Sequence, residues 1–237
     1  MTDGSGPAGA AAAPFRLLLT AFEPFGGEAV NASERVVRAV RALADAGGLR
    51  GVRLDTLILP TCFHRSLAVL DGRLAVEPFD AVLALGQASG RAGITVERVA
   101  LNLDDARIPD NDGQQPVDRP VVPGAPLAYL SGLPVKAMVA AIRASGIEAS
   151  VSQTAGTFVC NHLFFGVRHL AETRYPALRA GFAHVPLLPE QAALAPRPGE
   201  PEPPCLPADA VARGLAAAIA AIAAGAAEPA VPEGAIS

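Results

Sequence analysis

Residues 79–91, FDAVLALGQASGR, carry the clearest indication of the fold class. Phe79 to Leu85 carries enough apolar side chains to form a strand that is buried on both faces. Such a strand belongs in the middle of a sheet that helices cover on both sides. Gly86 to Arg91 then forms a flexible loop, because its glycine and serine residues do not extend the strand. Ligands bind at the carboxyl edge of open α/β sheets, so we expect a functional site beside this loop.

Upstream of this stretch, strands and helices alternate. An aliphatic run stops at FEPFGG, where Pro24, Gly26 and Gly27 predict the exit loop of a strand. Asn31 and Glu34 have the spacing of a capping box, which predicts the start of a helix. The expected elements are a strand at Phe15–Ala21, a helix from Asn31 to Gly47, a strand at Val52–Leu59 and a helix marked by Leu67, Leu70 and Leu74.

Downstream, the apolar alternation of Ile94–Leu103, ITVERVALNL, changes phase at Glu97 and Arg98. A slip of one residue within a strand is typical of a β-bulge, and bulges re-aim side chains near active sites. The alternative interpretation is that Glu97 and Arg98 form a solvent-facing charged pair. The pattern alone leaves both interpretations open.

Residues 104–115, DDARIPDNDGQQ, have no apolar period and contain many turn-forming residues. A loop of this length in a compact domain is usually functional or disordered. Its DND-G fragment resembles part of a calcium loop, but the glycine follows Asp110 too early, and Val121 stands where the twelfth position requires glutamate. We therefore reject calcium binding.

The remaining segments continue the alternation. They predict a helix that Pro134 opens and Gly146 closes, a short strand around Ser150, a helix after Cys160, a strand at Gly181–Leu187 and a terminal helix at 208–225. Alternation of this kind builds a layered α/β sheet.

The composition of the chain excludes some classes of function. With 237 residues, of which 51% are hydrophobic, the chain can bury a sizeable core, and we favour one domain. A net charge of −4 with interspersed signs gives no basic stripe for nucleic acid and no polybasic run for a membrane surface. The three widely spaced cysteines form neither a disulfide framework nor a zinc motif, which indicates a reducing cytoplasm.

Both ends of the chain are predicted to lie outside the packed domain. Residues 1–14, MTDGSGPAGAAAAP, lack the basic residues of a secretory signal, so we expect a disordered tail. The domain then covers residues 15–227, with a proline-rich linker at 195–207 before the terminal helix. Its longest uncharged apolar run, Leu215–Ala227, is 13 residues long, short of the ~20 that cross a bilayer. Residues 228–237 are predicted to be a flexible C-terminus.

The segment Ser152–His162, SQTAGTFVCNH, places Cys160 where a strand turns into a helix. The first backbone N–H groups of a helix carry partial positive charge and favour the thiolate, which is the nucleophilic form of cysteine. The alternative is that Cys160 is a small buried hydrophobic residue, which is common for an isolated cysteine.

Two histidines, His162 and His184, are candidate partners for Cys160. His184 lies near the end of a predicted strand beside Pro186, a good position for a site. His162 follows Cys160 by two residues and so points to a different side of the helix, which favours a structural role. Cysteine, histidine and an acid suffice for acyl transfer, although the sequence alone does not show that they meet.

Four blocks closely resemble, in the same order, the pyroglutamyl-peptidase I (pyrrolidone-carboxylate peptidase) family of cysteine peptidases. The blocks are FEPFGG, GQASGRAGITVERVALNLDDARIPDN, SQTAGTFVCNH and HVPLLPEQ, and the resemblance runs from Phe15 to Gln191. It implies a single-domain α/β/α sandwich around a twisted mixed sheet. It also implies removal of an N-terminal pyroglutamyl residue from peptides through a thioacyl-enzyme, with no metal and no other cofactor.

The resemblance also assigns residues. It implies that Cys160 is the nucleophile, His184 the base and acid, and Glu97 the group that orients the histidine. The backbone N–H of Cys160 is the first candidate for stabilising the oxyanion, and Arg107 is the second. The flat lactam ring requires apolar walls and one polar edge. The implied walls are Phe22, Phe25, Ile108, Phe158 and Val159, with Gln87 at the polar edge.

The chain departs from the family outside the chemistry. Its N-terminus is longer and rich in Ala and Gly, a proline-rich insert precedes the last helix, and Gln153 stands where the family often has asparagine. The resemblance leaves room for a homo-oligomer, which is a tetramer in related proteins. The alternative function is a non-catalytic α/β small-ligand-binding protein that uses the FGG and GQASG loops. Neither loop has a Walker lysine or a GxGxxG pattern, which argues against it.

Overall fold

The computed structural model describes residues 13–194 and 202–234. The predicted disordered tail at 1–14 therefore lies almost entirely outside the described residues. So do residues 195–201 of the predicted proline-rich linker and the last three residues of the predicted flexible C-terminus.

The described residues contain eight strands and six helices. The strands are β1 (Phe15–Phe22), β2 (Val52–Leu59), β3 (Ala81–Gln87), β4 (Ile94–Glu97), β5 (Val99–Leu101), β6 (Ala128–Leu130), β7 (Ala149–Ser152) and β8 (Arg179–Val185). The helices are α1 (Ala32–Asp45), α2 (Arg65–Val76), α3 (Val135–Ala144), α4 (Val159–Thr173), α5 (Pro189–Leu194) and α6 (Ala208–Ala223). The strands and helices predicted from the sequence agree with these within a few residues, except in the Ile94–Leu103 segment.

The main sheet has six strands in the order β2-β1-β3-β8-β4-β7. β2, β1, β3 and β8 run parallel, whereas β4 is antiparallel to β8 and parallel to β7. The sheet is therefore mixed, as the resemblance implied. The apolar run that predicted a central strand forms β3, in which every residue except Gln87 is buried.

Helices cover both faces of this sheet. On one face, α1, α3 and α6 bury aliphatic side chains that include Val36, Met138 and Leu215. On the other face, α2 and α4 bury a cluster richer in aromatic residues, which includes Phe164 and Phe182. Because side chains alternate between the faces of a strand, each inner strand contributes to both clusters. The α/β/α layering is confirmed.

The structure corrects the expectation of one bulged strand at Ile94–Leu103. The chain leaves the six-stranded sheet after Glu97, and β5 pairs instead with β6 in a separate two-stranded antiparallel sheet. The phase change in the sequence therefore marks a change of sheet. Glu97 is completely buried, so the solvent-facing charged pair is also wrong for this residue.

The terminal residues that the structure describes contact α3. Lys136 Nζ donates a hydrogen bond to the Val231 carbonyl at 2.7 Å, and Arg143 pairs with Glu233 at 2.6 Å. The predicted flexibility of 228–237 stays a prediction, and these contacts argue against it for 228–234. Among the described helices, none has the length and apolar character needed to span a membrane.

Candidate active site

Three strand or helix ends bring Glu97, Cys160 and His184 together. His184 of β8 pairs in register with Gly86 of β3 on one side and with Thr95 of β4 on the other. Glu97 follows Thr95 by two residues, so its side chain lies on the same face as His184 and diagonal to it. Cys160 is the second residue of α4, which packs on that face.

Direct contacts define the arrangement. The Nδ1 atom of His184 lies 2.8 Å from Oε1 of Glu97, a hydrogen bond between two buried side chains. A methyl group placed on Gly86 would lie 2.7 Å from Sγ of Cys160 and 3.2 Å from Cδ2 of His184. The Cys160 sulfur and the Cδ2 atom of His184, which is bonded to Nε2, therefore both lie next to the Cα of Gly86. The geometry presents Nδ1 to the carboxylate and Nε2 to the thiol, which is the order that acyl transfer needs.

The surroundings of His184 raise the pKa of its imidazole and so favour the charged form. Burial by itself lowers the pKa of His184, because it penalises the cation. The hydrogen bonds and negative charges of Cys160 and Glu97 outweigh burial and raise the pKa from 6.5 to about 9. At neutral pH the histidine is thus positioned to stabilise a thiolate as an ion pair.

Glu97 has few partners for a buried carboxylate. Its Oε1 accepts from His184, and the guanidinium of Arg91 lies 3.8 Å from the same oxygen. Its Oε2 has no hydrogen-bond partner among the described residues. Because a buried charge is costly unless it is paired, His184 and Arg91 are the groups that compensate the carboxylate.

The N-terminus of α4 offers donors for an oxyanion. Its N-cap residue, Phe158, makes no side-chain hydrogen bond to the helix. The N–H groups of the first helical turn have no intrahelical acceptor, and such groups bind anions. Arg107, the second candidate, lies exposed on the 104–115 loop.

Asn161 fixes the position of Cys160, and the sequence reasoning missed it. Its Nδ2 donates to the carbonyls of Leu101 and Leu103 at 2.9 Å, and its Oδ1 accepts from the Leu101 N–H at 2.9 Å. This fully buried amide therefore ties the first turn of α4 to β5. The available signal was a polar residue on the buried face of an amphipathic helix, directly after the cysteine.

The five residues predicted as lactam walls differ in their exposure. Phe25 and Phe158 are half-buried, and their ring centroids lie 6.0 Å apart. Phe22 and Val159 are buried in the core, and Ile108 remains 45% exposed on its loop. Phe25 and Phe158 thus form a partly accessible aromatic pair, and Phe158 packs against the apolar cluster that contains Phe22 and Val159.

Gln87 is the last residue of β3, where the sequence predicted a loop, and the protein itself uses most of its amide. Its Oε1 accepts from the Ala32 N–H at 2.7 Å and from Gln191 at 2.8 Å, and its Nε2 donates to Glu28 at 2.8 Å. One N–H of the amide remains for a ligand. The role of Gln87 at the polar edge of the lactam stays a prediction.

Gly86 provides a sharp test of this geometry. In Gly86→Ala, the added methyl would lie 2.7 Å from the Cys160 sulfur and 2.9 Å from the Phe182 ring, so the sulfur and His184 must separate. A misplacement near 1 Å can cost ~10²-fold in rate, and we expect kcat to fall by about that factor. The control is Gly72→Ala on α2, where the added methyl meets nothing within 4 Å. Equal kcat for both variants and the wild type would contradict the geometry.

The chain is similar to known proteins over most of its length. The family model described as pyroglutamyl peptidase matches residues 15–225. The chain is 51% identical to the pyrrolidone-carboxylate peptidase of Streptomyces coelicolor over 208 residues, which are 88% of this chain and 92% of the relative. It is 52% identical to that of Escherichia fergusonii over 203 residues, which are 86% and 90% of the two chains.

Solved structures give the same result. The crystal structure of pyroglutamyl peptidase I from Bacillus amyloliquefaciens superposes with a TM-score of 0.84 at 41% identity, covering 92% of this chain and 100% of that one. The pyrrolidone carboxyl peptidase of Fervidobacterium islandicum superposes with a TM-score of 0.80 at 37% identity, covering 87% and 97%.

Proposed function

This chain belongs to the pyroglutamyl peptidase family, and on that premise we propose that Cys160, His184 and Glu97 are its catalytic residues. The chain is a cysteine-type hydrolase that removes an N-terminal pyroglutamyl residue from peptides. The alternative of a non-catalytic ligand-binding protein is therefore wrong. The observation that carries the residue assignment is that the Cys160 thiol and the His184 imidazole meet beside Gly86, while the same imidazole is hydrogen-bonded to the buried Glu97 carboxylate.

In the first half of the reaction, His184 holds the proton of the Cys160 thiol. The thiolate attacks the carbonyl carbon of the pyroglutamyl residue, so that a C–S bond forms and the C=O electron pair becomes an oxyanion. The N–H groups at the start of α4 stabilise this charge. The intermediate then collapses, the C–N bond breaks, and His184 gives its proton to the leaving amine of the shortened peptide.

In the second half, water hydrolyses the thioester. His184, now neutral, takes a proton from the water as its oxygen bonds to the acyl carbon. The C–S bond breaks, free pyroglutamate leaves, and the sulfur recovers its thiolate form. Throughout, Oε1 of Glu97 accepts the Nδ1–H hydrogen bond and keeps Nε2 directed at the reacting atoms.

A pH profile tests these roles. We expect kcat/KM for a chromogenic pyroglutamyl amide to decline on the alkaline side near pH 9, because above the His184 pKa of about 9 the imidazole has no proton for the leaving amine. In Glu97→Gln the charge that helps raise this pKa is gone, so the decline should move to lower pH. The variant should retain more activity than His184→Ala, since an orienting residue is less essential than a proton carrier.

The matched control is Asp209→Asn, the same change of carboxylate to amide at an exposed residue of α6. It should leave the profile unchanged. A wild-type decline near pH 6.5, or an unmoved decline in Glu97→Gln, would count against the assignment.

The setting of the enzyme follows from its chemistry. We propose a cytoplasmic location, because the Cys160 thiol must stay reduced to act as nucleophile. The proposed partners are peptides that begin with pyroglutamate, and the interspersed charges favour neither nucleic acid nor a membrane surface. The homo-oligomer that the resemblance allows stays a prediction.

A further inference from the structure

His162 is a completely buried, titratable side chain that the mechanism does not use. Its Nδ1 lies 2.8 Å from Oδ2 of Asp104, and its Nε2 accepts a hydrogen bond from the His64 backbone N–H at 2.9 Å. An imidazole that accepts at Nε2 must carry its proton on Nδ1, which it then donates to the carboxylate. His162 is therefore a neutral connector between two distant chain segments.

The segment that His162 holds needs such support. His64 has a φ of +57°, in the left-handed region that non-glycine residues rarely adopt. Such a conformation persists when the surrounding structure imposes it. The preceding N–H, that of Phe63, donates to Oδ2 of Asp110 at 2.7 Å. The backbone N–H groups of Phe63 and His64 thus both donate to side chains from distant parts of the chain. We call the five residues of this arrangement the brace: Phe63, His64, Asp104, Asp110 and His162.

The brace fixes the position of the Phe63 ring. Phe63 packs edge-on against His162, with centroids 5.5 Å apart, and edge-on against Phe158, with centroids 5.3 Å apart. Phe158 in turn faces Phe25 at 6.0 Å and is the N-cap of α4, two residues before the nucleophile. Edge-to-face pairs depend on geometry, so a shift of Phe63 passes to Phe158.

We propose that His162 is a positioning residue for the lactam pocket, acting through His64 and Phe63 on the Phe158 wall. The inference rests on the proposed function, since it takes the Phe25–Phe158 pair as the wall against which the lactam packs. The brace touches neither His184 nor Glu97 among its hydrogen bonds. Its loss should therefore weaken substrate binding more than the chemical step, which means a higher KM with little change in kcat.

The experiment compares two amide substitutions. The side chain of His162→Asn can keep a donor toward Asp104 but does not reach the His64 N–H, whereas that of His162→Gln can present an acceptor there. We expect KM for a pyroglutamyl amide to rise roughly tenfold in His162→Asn and less than about threefold in His162→Gln, with kcat within about threefold in both. The rate constant for alkylation of Cys160 by iodoacetamide should stay at the wild-type value in both variants.

Phe63→Leu supplies a second route, because it removes the ring without touching the hydrogen bonds of His162. It should raise KM as His162→Asn does, and it keeps the proposal testable if His162→Asn does not fold. Unchanged KM in folded Phe63→Leu, equal KM values in the Asn and Gln variants, or a parallel fall of kcat and alkylation rate would each overturn the proposal. Failure of the wild type to hydrolyse the amide would instead refute the proposed function.

Discussion

Cys160→Ser is expected to lower kcat for a pyroglutamyl amide by about 10⁴-fold or more while the fold stays intact. Serine preserves the shape of the side chain, but its hydroxyl does not form the anion that pairs with His184 at neutral pH. The Cys160 sulfur and the His184 imidazole both lie beside Gly86, so the substitution removes the group placed to react. Circular dichroism and the melting temperature check that the variant is folded.

The other two cysteines provide matched controls. Cys62 is buried, and burial with a hydrogen bond to Asp112 raises its pKa to about 11, so it remains a thiol at neutral pH. Cys205 is half-buried in the segment before α6. We expect Cys62→Ser and Cys205→Ser to keep wild-type kcat per folded molecule. Substantial turnover by Cys160→Ser, or loss of turnover in either control, would contradict the nucleophile assignment.

The second large effect is selectivity between pyroglutamyl and prolyl amides. The two rings share a five-membered shape, so an aromatic wall such as the Phe25–Phe158 pair could separate them only ~10–200-fold. A pocket that pairs the lactam C=O and N–H leaves its own polar groups unpaired against proline. It must also desolvate the charged amine of proline. We therefore expect kcat/KM for the prolyl amide to be lower by about 10⁴-fold or more.

The measurement is kcat/KM for the two amides with the same chromogenic leaving group, so that only the ring differs. A cyclopentanecarbonyl amide is the matched control, because it keeps the shape and lacks both the lactam groups and the charge. It should be rejected nearly as strongly as proline. Comparable rates on all three substrates would mean that the pocket recognises shape alone.

The sequence predicted the layers of the fold because its apolar periods are local. A continuous apolar run predicted β3, and Pro134 and Gly146 predicted the two ends of α3. It did not predict the exit of the chain after Glu97, because a change of phase in an alternating pattern fits a bulge within one strand as well as two strands in different sheets. Which strand pairs with which is decided by residues far away in the chain.

Long sequence separation also prevented prediction of the site from the residues alone. His184 and Glu97 are 87 positions apart, and His162 and Asp104 are 58 apart. No local period relates such pairs, so the catalytic assignment came from the resemblance. The spacing from Cys160 favoured a structural role for His162, but it did not reveal that Asn161 and His162 bind the segment at 101–104.

The position of β8 in the sheet has a consequence for how the chain is made. β8 lies between β3 and β4, yet it is the last of the eight strands to emerge during synthesis. Until residue 185 is available, β3 and β4 each present an unpaired edge toward the gap, and such edges favour association with other chains. Closing the gap requires contacts across long sequence separations, which slows folding. The strand that carries His184 also joins the two parts of the sheet, so the proposed active site forms only when β8 pairs with these two strand edges.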